Sequence, residues 1–458
     1  MVRPKIRFVC QECGYEASKW LGRCPACDQW NSFVEEPVAS GADGIKLKGR
    51  LADQGGAPCP ITEVGLAEQP RFPSGVAEFD RVLGGGIVPG SLILLGGDPG
   101  IGKSTLLLQV AHGISEQRGR VLYVSGEESA AQVRMRAERL GRLTEQLLVM
   151  TETDFDVVLS QAGAVTPALM IIDSVQTMFC PDLPAAPGTV GQIREVTGRL
   201  LRFAKQSGVP VAVVGHMTKD GLIAGPRLME HMVDVVLNFE GERNLAFRVL
   251  RATKNRFGPT NDSGLFAMED TGLVEVDKPS AALLAGRSEG VPGSVVLAGV
   301  EGTRPLLVEI QALVSSTYFG TPRRMAVGFD YNRLTMLMAV LEKRVGLPLG
   351  SQDAYVNAVG GIKIVEPAAD LAVVLAVASS FRNVPVSWPS TAVTGEVGLT
   401  GEVRPVARIG SRIGEALSLG FTKLVIPAGN LKELKPCPGG IDIIGVRTVV
   451  EAMEAVLR

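Results

Sequence analysis

From about residue 61 to residue 275 the chain alternates short apolar runs with longer stretches of helical periodicity. The runs are SLILLGG (91–97), VLYVSG (121–126), ALMIIDS (168–174), VPVAVVG (209–215), VDVVLNFE (233–240) and LAFRVLRAT (245–253). Runs this short and this continuously apolar predict strands buried on both faces, and the helical stretches between them supply the crossovers of a parallel sheet. After Val276 the pattern weakens, and a second α/β segment follows to Arg458. Residues 36–60 are rich in Gly, Ala and Pro and read as a linker. The predicted organisation is an N-terminal module at 1–35, a linker at 36–60, an α/β domain at 61–275 and another at 287–458.

Composition adds little to this picture except by exclusion. In 458 residues, 46% hydrophobic and 21% charged, with 54 Gly and 28 Pro, there is room for two or three ordinary cores. No apolar run is long enough to span a bilayer, and no apolar signal core follows the basic start MVRPKIRFVC, so a cytoplasmic location without a membrane partner is expected. The net charge of −2 means that any nucleic-acid binding must come from local patches.

Four of the seven cysteines crowd into residues 10–27, as Cys10-x-x-Cys13 and Cys24-x-x-Cys27 with ten residues between the pairs. Each pair makes a tight knuckle aiming two thiolates at one point, and two knuckles complete a closed tetrahedral shell for Zn2+. A closed shell leaves no position for substrate, so the metal would be structural. Four free buried cysteines, or a redox pair, are the competing readings. Whether such a ribbon touches DNA, a partner protein or a neighbouring subunit stays open.

Gly97-Asp98-Pro99-Gly100-Ile101-Gly102-Lys103-Ser104 fits G-x4-G-K-[ST], follows the strand SLILLGG, and opens a helix beginning at Thr105. The glycines let backbone N–H groups approach the phosphates of ATP, and the helix N-terminus adds a favourable dipole. Lys103 is expected to reach the β- and γ-phosphates, and the Ser104 hydroxyl to ligate Mg2+. The strand LMIIDS ends in Asp173, an acid placed to hold the same metal through water. The strand VLYVSG, directly after the phosphate-loop helix, runs into Glu127 and Glu128. In RecA-like ATPases that strand ends in the catalytic base, which points to Glu127, with Glu128 the alternative and a solvated acidic turn the bland reading.

Residues 254–258 read Lys-Asn-Arg-Phe-Gly. With this segment, the cysteine ribbon and the phosphate loop, the chain resembles the bacterial RadA (Sms) family along essentially its whole length. The resemblance implies a RecA-like P-loop ATPase core, an N-terminal zinc ribbon and a C-terminal α/β domain like that of Lon proteases. By likeness to DnaB-type helicases, it implies that Lys254 and Arg256 meet the γ-phosphate of a neighbour's ATP in a homohexamer. Arg243, Arg248, Arg251, Lys254 and Arg256 follow one another without an intervening acid. A solvated basic face or a DNA-contacting stripe would also explain that run. His216 stands at the family's γ-phosphate sensor. Loops at 176–191 and 219–227 are where RecA-like proteins bind DNA, with Lys219, Arg227, Arg194 and Arg199 as candidate phosphate contacts.

Residues 361–370 (GIKIVEPAAD) and 401–406 (GEVRPV) resemble the segments that carry the Lon nucleophile and precede its catalytic lysine. Here Ala368 stands at the nucleophile position and residues 407–412 hold no lysine, so a Ser–Lys dyad is absent. The domain would survive as an assembly platform whose Arg304, Arg323, Arg324, Lys343 and Arg344 could meet duplex DNA. The functions implied are a DNA-dependent ATPase and hexameric motor for single-stranded and branched DNA, driving branch migration in recombination and repair, with a RecA-type recombinase as partner. The alternative is an ATP-driven switch or loader that acts on protein partners without translocating DNA.

Overall fold

The computed structural model describes residues 6–10, 15–26, 28–37, 62, 71–215, 228–241, 247–317, 321–434 and 439–457. Within them the chain divides into two compact units that part between Glu275 and Val276.

In the first unit, β1 (Ile6–Cys10), β2 (Glu16–Ala17) and β3 (Phe33–Pro37) form a small antiparallel sheet in the order β2-β1-β3. The larger part begins with α1 (Ala77–Leu83), closed by Gly84 in the left-handed conformation that glycine adopts without strain. There follow β4 (Leu92–Gly97), α2 (Lys103–Arg118), β5 (Val121–Ser125) and α3 (Ala130–Arg139). Then come β6 (Leu147–Thr151), α4 (Phe155–Val165), β7 (Leu169–Asp173), α5 (Val190–Ser207) and β8 (Val211–Val214). The unit ends with α6 (Leu228–Met232), β9 (Val235–Glu240), β10 (Phe247–Asn255), β11 (Ser263–Glu269) and β12 (Gly272–Glu275).

These strands make one sheet in the order β12-β11-β10-β9-β4-β8-β7-β5-β6. The six from β6 to β9 run parallel, as continuously apolar runs require. Strand β10 pairs antiparallel with β9, and β11 with β12, a departure from the all-parallel expectation. Only six residues separate β9 from β10, too few for the helical crossover that a parallel pairing would need. Every residue of β4 is buried, and a fully buried Leu or Ile contributes roughly 1.5–3 kcal/mol. The phosphate-loop strand is therefore the rigid centre of the unit. Helix α3 starts with a reciprocal capping box between Ser129 and Gln132, and α4 with an Asp154 cap.

The second unit opens with α7 (Pro279–Leu284), β13 (Ser294–Glu301), β14 (Arg304–Ser316), β15 (Arg324–Val327) and α8 (Tyr331–Val340). It continues through β16 (Gln352–Ala358), α9 (Asp370–Arg382), β17 (Thr391–Val393), β18 (Glu396–Val397) and β19 (Val403–Arg404). Last come α10 (Ile409–Ser418), β20 (Lys423–Pro427), β21 (Asp442–Val446) and α11 (Val449–Val456). Its mixed sheet has the order β15-β16-β14-β13-β17-β20-β21. Helix α9 is apolar on all sides and buried from Asp370 to Ser379, so it is the central element of this core. Among the described residues of either unit, no helix is long and apolar enough to cross a membrane.

Candidate functional site

The phosphate loop leaves the buried end of β4 and runs into α2. Gly97 sits at φ 150°, and a Cβ there would come within 2.5 Å of the Phe239 carbonyl oxygen, so only glycine fits beside β9. Asp98, Pro99 and Gly100 are exposed, Ile101 is buried, and Gly102 caps the helix. Ser104 and Thr105 are half-buried in the first turn of α2, whose backbone N–H groups point back into the loop. The Lys103 ammonium is buried and donates to the carbonyls of Gly97 (2.6 Å) and Asp98 (2.9 Å). Desolvation pulls its pKa down, while the charges of Asp173, Asp98 and Glu127 act to raise it.

Strands β5 and β7 are neighbours with Ser125 opposite Asp173, which brings the ends of the two acid-bearing strands together. The Gly126 N–H donates to the Asp173 carbonyl at 2.9 Å, and a Cβ on Gly126 would overlap the Thr177 hydroxyl. Asp173 accepts a hydrogen bond from the phenol of Tyr123 at 2.5 Å. Burial first, and Asp173 second, hold that phenol's pKa well above its usual value, so it remains a donor. The next residue, Ser174, donates its hydroxyl to Glu127 at 2.5 Å. Glu128 turns the other way and forms an ion pair with Arg136 on α3. The structure thus brings Lys103, Asp173 and Glu127 together. Tyr123 and Ser174 are additions that the sequence reading did not single out.

Lys254 and Arg256 lie elsewhere. The Lys254 ammonium donates to the carbonyls of Glu230 (2.6 Å) and His231 (3.0 Å) at α6, and burial lowers its pKa. Arg256 donates its backbone N–H to the Asp234 carbonyl at 3.1 Å, and its exposed guanidinium stands 3.6 Å from the Asp234 carboxylate. That carboxylate also accepts from the Leu92 N–H (3.0 Å) and Lys205 (2.8 Å) at the start of β4. From Leu92 to Gly97 are five residue steps of strand, roughly 17 Å. The two basic residues therefore sit at one end of β4 and β9, and the phosphate loop of the same chain at the other.

His216, Lys219, Arg227 and Arg243 lie outside the described residues. Arg194 is exposed, whereas Arg199 pairs with Asp156 and lies over the Phe155 ring. The loop after β7 is fastened by buried Gln192, which bonds both the N–H and the carbonyl of Cys180 and the carbonyls of Leu183 and Ala185.

In the ribbon, Cys10 and Cys24 are fully buried and share one cluster with Phe33. Each cysteine N–H closes its knuckle in the same way, Cys10 onto the Tyr15 carbonyl (2.9 Å) and Cys24 onto the Gln29 carbonyl (2.8 Å). Two matching knuckles on one cluster fit a metal-thiolate site. Cys13 and Cys27 lie outside the described residues.

In the second unit, Ala368 is buried. Two residues before it, Glu366 is gripped by both terminal nitrogens of buried Arg412, at 2.6 and 3.1 Å. Arg412 also donates to the Ala298 carbonyl. Arg333 likewise forks onto the fully buried Asp370, with 2.9 Å from its Nε. Arg323, Lys343 and Arg344 are exposed, and Arg304 reaches the carbonyls of Val276 and Asp277.

Three family descriptions match this chain: an AAA domain at 74–222, a rubredoxin metal-binding domain at 8–35, and a Lon protease (S16) C-terminal proteolytic domain at 358–458. The chain is 53% identical to the DNA repair protein RadA of Halalkalibacterium halodurans and 52% identical to that of Bacillus subtilis, with the whole of both chains covered in each case. It is 51% identical to the Listeria monocytogenes protein of the same name over 98% of each chain. The chain belongs to the RadA family of DNA repair proteins. An AAA-type ATPase core, an N-terminal zinc ribbon and a Lon-like C-terminal domain are all present, as the sequence implied. For a RadA-family chain with this core, ATP hydrolysis with nucleotide and Mg2+ follows, and the ribbon agrees with zinc.

Proposed function

We propose that this chain is an ATP-driven motor that acts in the cytoplasm as a ring of six on single-stranded and branched DNA, moving branch points during recombination and repair. What supports this reading is the span of strand between the phosphate loop and the pair Lys254 and Arg256. A chain cannot bring its own basic pair to its own phosphates, so a complete site takes these groups from a neighbour. In this reading Gly97 to Thr105 cradle the triphosphate, Lys103 exchanges its loop carbonyls for phosphate oxygens, and Glu127 orients the attacking water. Ser104 and Asp173 are the residues to hold Mg2+, which would neutralise charge on the β- and γ-phosphates. His216 reads the γ-phosphate, and Cys10, Cys13, Cys24 and Cys27 hold Zn2+. The Lon-like domain acts without proteolysis, since Ala368 offers no hydroxyl, and a RecA-type recombinase is the expected protein partner.

The test is extension of a three-strand branched DNA with ATP, with a non-hydrolysable analogue, and with the Lys103→Ala protein. Extension that needs hydrolysis supports a motor. DNA binding without it would make the chain a nucleotide-driven switch or loader for another protein. Mixing Lys103→Ala with Lys254→Ala subunits should restore part of the turnover, because some boundaries then pair two intact halves; no recovery at any ratio would sink the shared-site geometry.

A further inference from the structure

The residue that follows the acid of β7 has a side chain with a separate task. Ser174 is completely buried, and its hydroxyl donates to one oxygen of Glu127 at 2.5 Å. The local turn is built by other groups. Thr177 supplies both its N–H (3.3 Å) and its hydroxyl (2.7 Å) to the Ser174 carbonyl, and the Gly126 N–H binds the Asp173 carbonyl across the strands. On the other side, the Ser125 hydroxyl accepts from the Glu128 N–H at 3.0 Å and donates to the Glu128 carbonyl at 2.8 Å, while Arg136 takes the Glu128 carboxylate. The backbone around Glu127 is thus held from both ends, and the hydroxyl that orders its carboxylate comes from the strand that carries Asp173.

We infer that Ser174 is a positioning residue for Glu127, fixing where the base stands relative to the acid one residue away. The inference rests on Glu127 being the base. A hydroxyl orders a carboxylate while leaving it anionic, and a carboxylate in a fixed place keeps the attacking water in line with the phosphate. Because Ser174 and Asp173 are consecutive, any movement of the end of β7 carries both carboxylates together.

The experiment is steady-state and single-turnover ATP hydrolysis by full-length Ser174→Ala, Ser174→Cys, Glu127→Gln and the Ser174→Ala/Glu127→Gln double variant, with nucleotide affinity measured separately by a fluorescent ATP analogue. The loss of one hydrogen bond to a charged group lowers kcat by roughly 10- to 100-fold. KM and analogue affinity should stay within about twofold, the range expected when only an interaction made in the transition state is lost. Ser174→Cys, close in size with a weaker donor, should fall between wild type and Ser174→Ala. In the Glu127→Gln background Ser174→Ala should cause no further loss, because its only route to turnover is then gone. Unchanged kcat in Ser174→Ala, a parallel loss of nucleotide affinity, or an equal loss in the Glu127→Gln background would each overturn the inference. Normal turnover by Glu127→Gln alone would remove the base assignment itself, a failure distinct from the other three.

Discussion

Both units hold two carboxylates in fixed hydrogen bonds, and they treat them in opposite ways. In the ATPase unit, Asp173 and Glu127 are ordered by hydroxyls, from Tyr123 and Ser174, and Lys103 stands near both. In the Lon-like unit, Glu366 and Asp370 are each forked by a guanidinium, from Arg412 and Arg333. A hydroxyl fixes the direction of a carboxylate without cancelling its charge, whereas a bidentate arginine cancels the charge and closes the geometry. The first arrangement leaves acids that can still meet a cation or a water. The second turns them into fasteners. An acid held by hydrogen bonds is thus a guide to chemistry only when its donors are known.

The comparison breaks most sharply at Lys103. Its replacement by alanine should lower ATP turnover on the order of 100- to 1,000-fold, read by phosphate release, while the melting of the Lon-like unit stays unchanged. Arg412→Ala should do the reverse. It leaves Glu366, half-buried and still accepting from the Val300 N–H, without its cation, and should destabilise the second unit by about 1–3 kcal/mol in denaturant titration, with nucleotide affinity intact. Replacing both partners, as Arg412→Met with Glu366→Leu, should recover most of that loss. If Arg412→Ala instead melts like wild type, the pair is not a fastener. Tyr123→Phe removes one donor from Asp173 and should slow turnover roughly tenfold, with a higher Mg2+ requirement in a metal titration. The smallest effect belongs to Glu402 on the surface of the second unit. Hydrogen bonds from Thr400, and then its own N–H and Arg404, lower its pKa from 4.5 to about 2. Its folded value lies below its unfolded one, so its contribution is complete above pH 4.5 and fades as the pH falls toward about 2. Carboxyl NMR should show that midpoint return toward 4.5 when Thr400 is replaced by alanine.

The phosphate-loop motif was legible because its chemistry demands fixed residue types at fixed spacings along the chain, whereas the base was read as Glu127 with Glu128 left as the alternative. Tyr123 and Ser174 were not legible, although both lie inside quoted runs. Their importance depends on the register that sets Ser125 opposite Asp173, and no local pattern carries that. The run at 245–253 was recognised as a strand, but its antiparallel direction follows only from the short link behind it. Strand β6 is a half-buried edge of five residues, and β11–β12 is a hairpin pairing Glu269 with Gly272, at the two margins of the sheet and away from its central buried strands. Residues 407–412 hold no lysine, but the sequence alone did not reveal that Arg412 forms an ion pair with Glu366.

The length of β4 between the phosphate loop and Lys254 with Arg256 has a consequence for dilute protein. If each chain holds half of two different sites, a solitary chain is idle, and turnover per chain climbs with concentration until rings are complete. The abundance of the protein would then act as a threshold below which ATP is left untouched. Assembly, rather than any inhibitor, would keep it quiet.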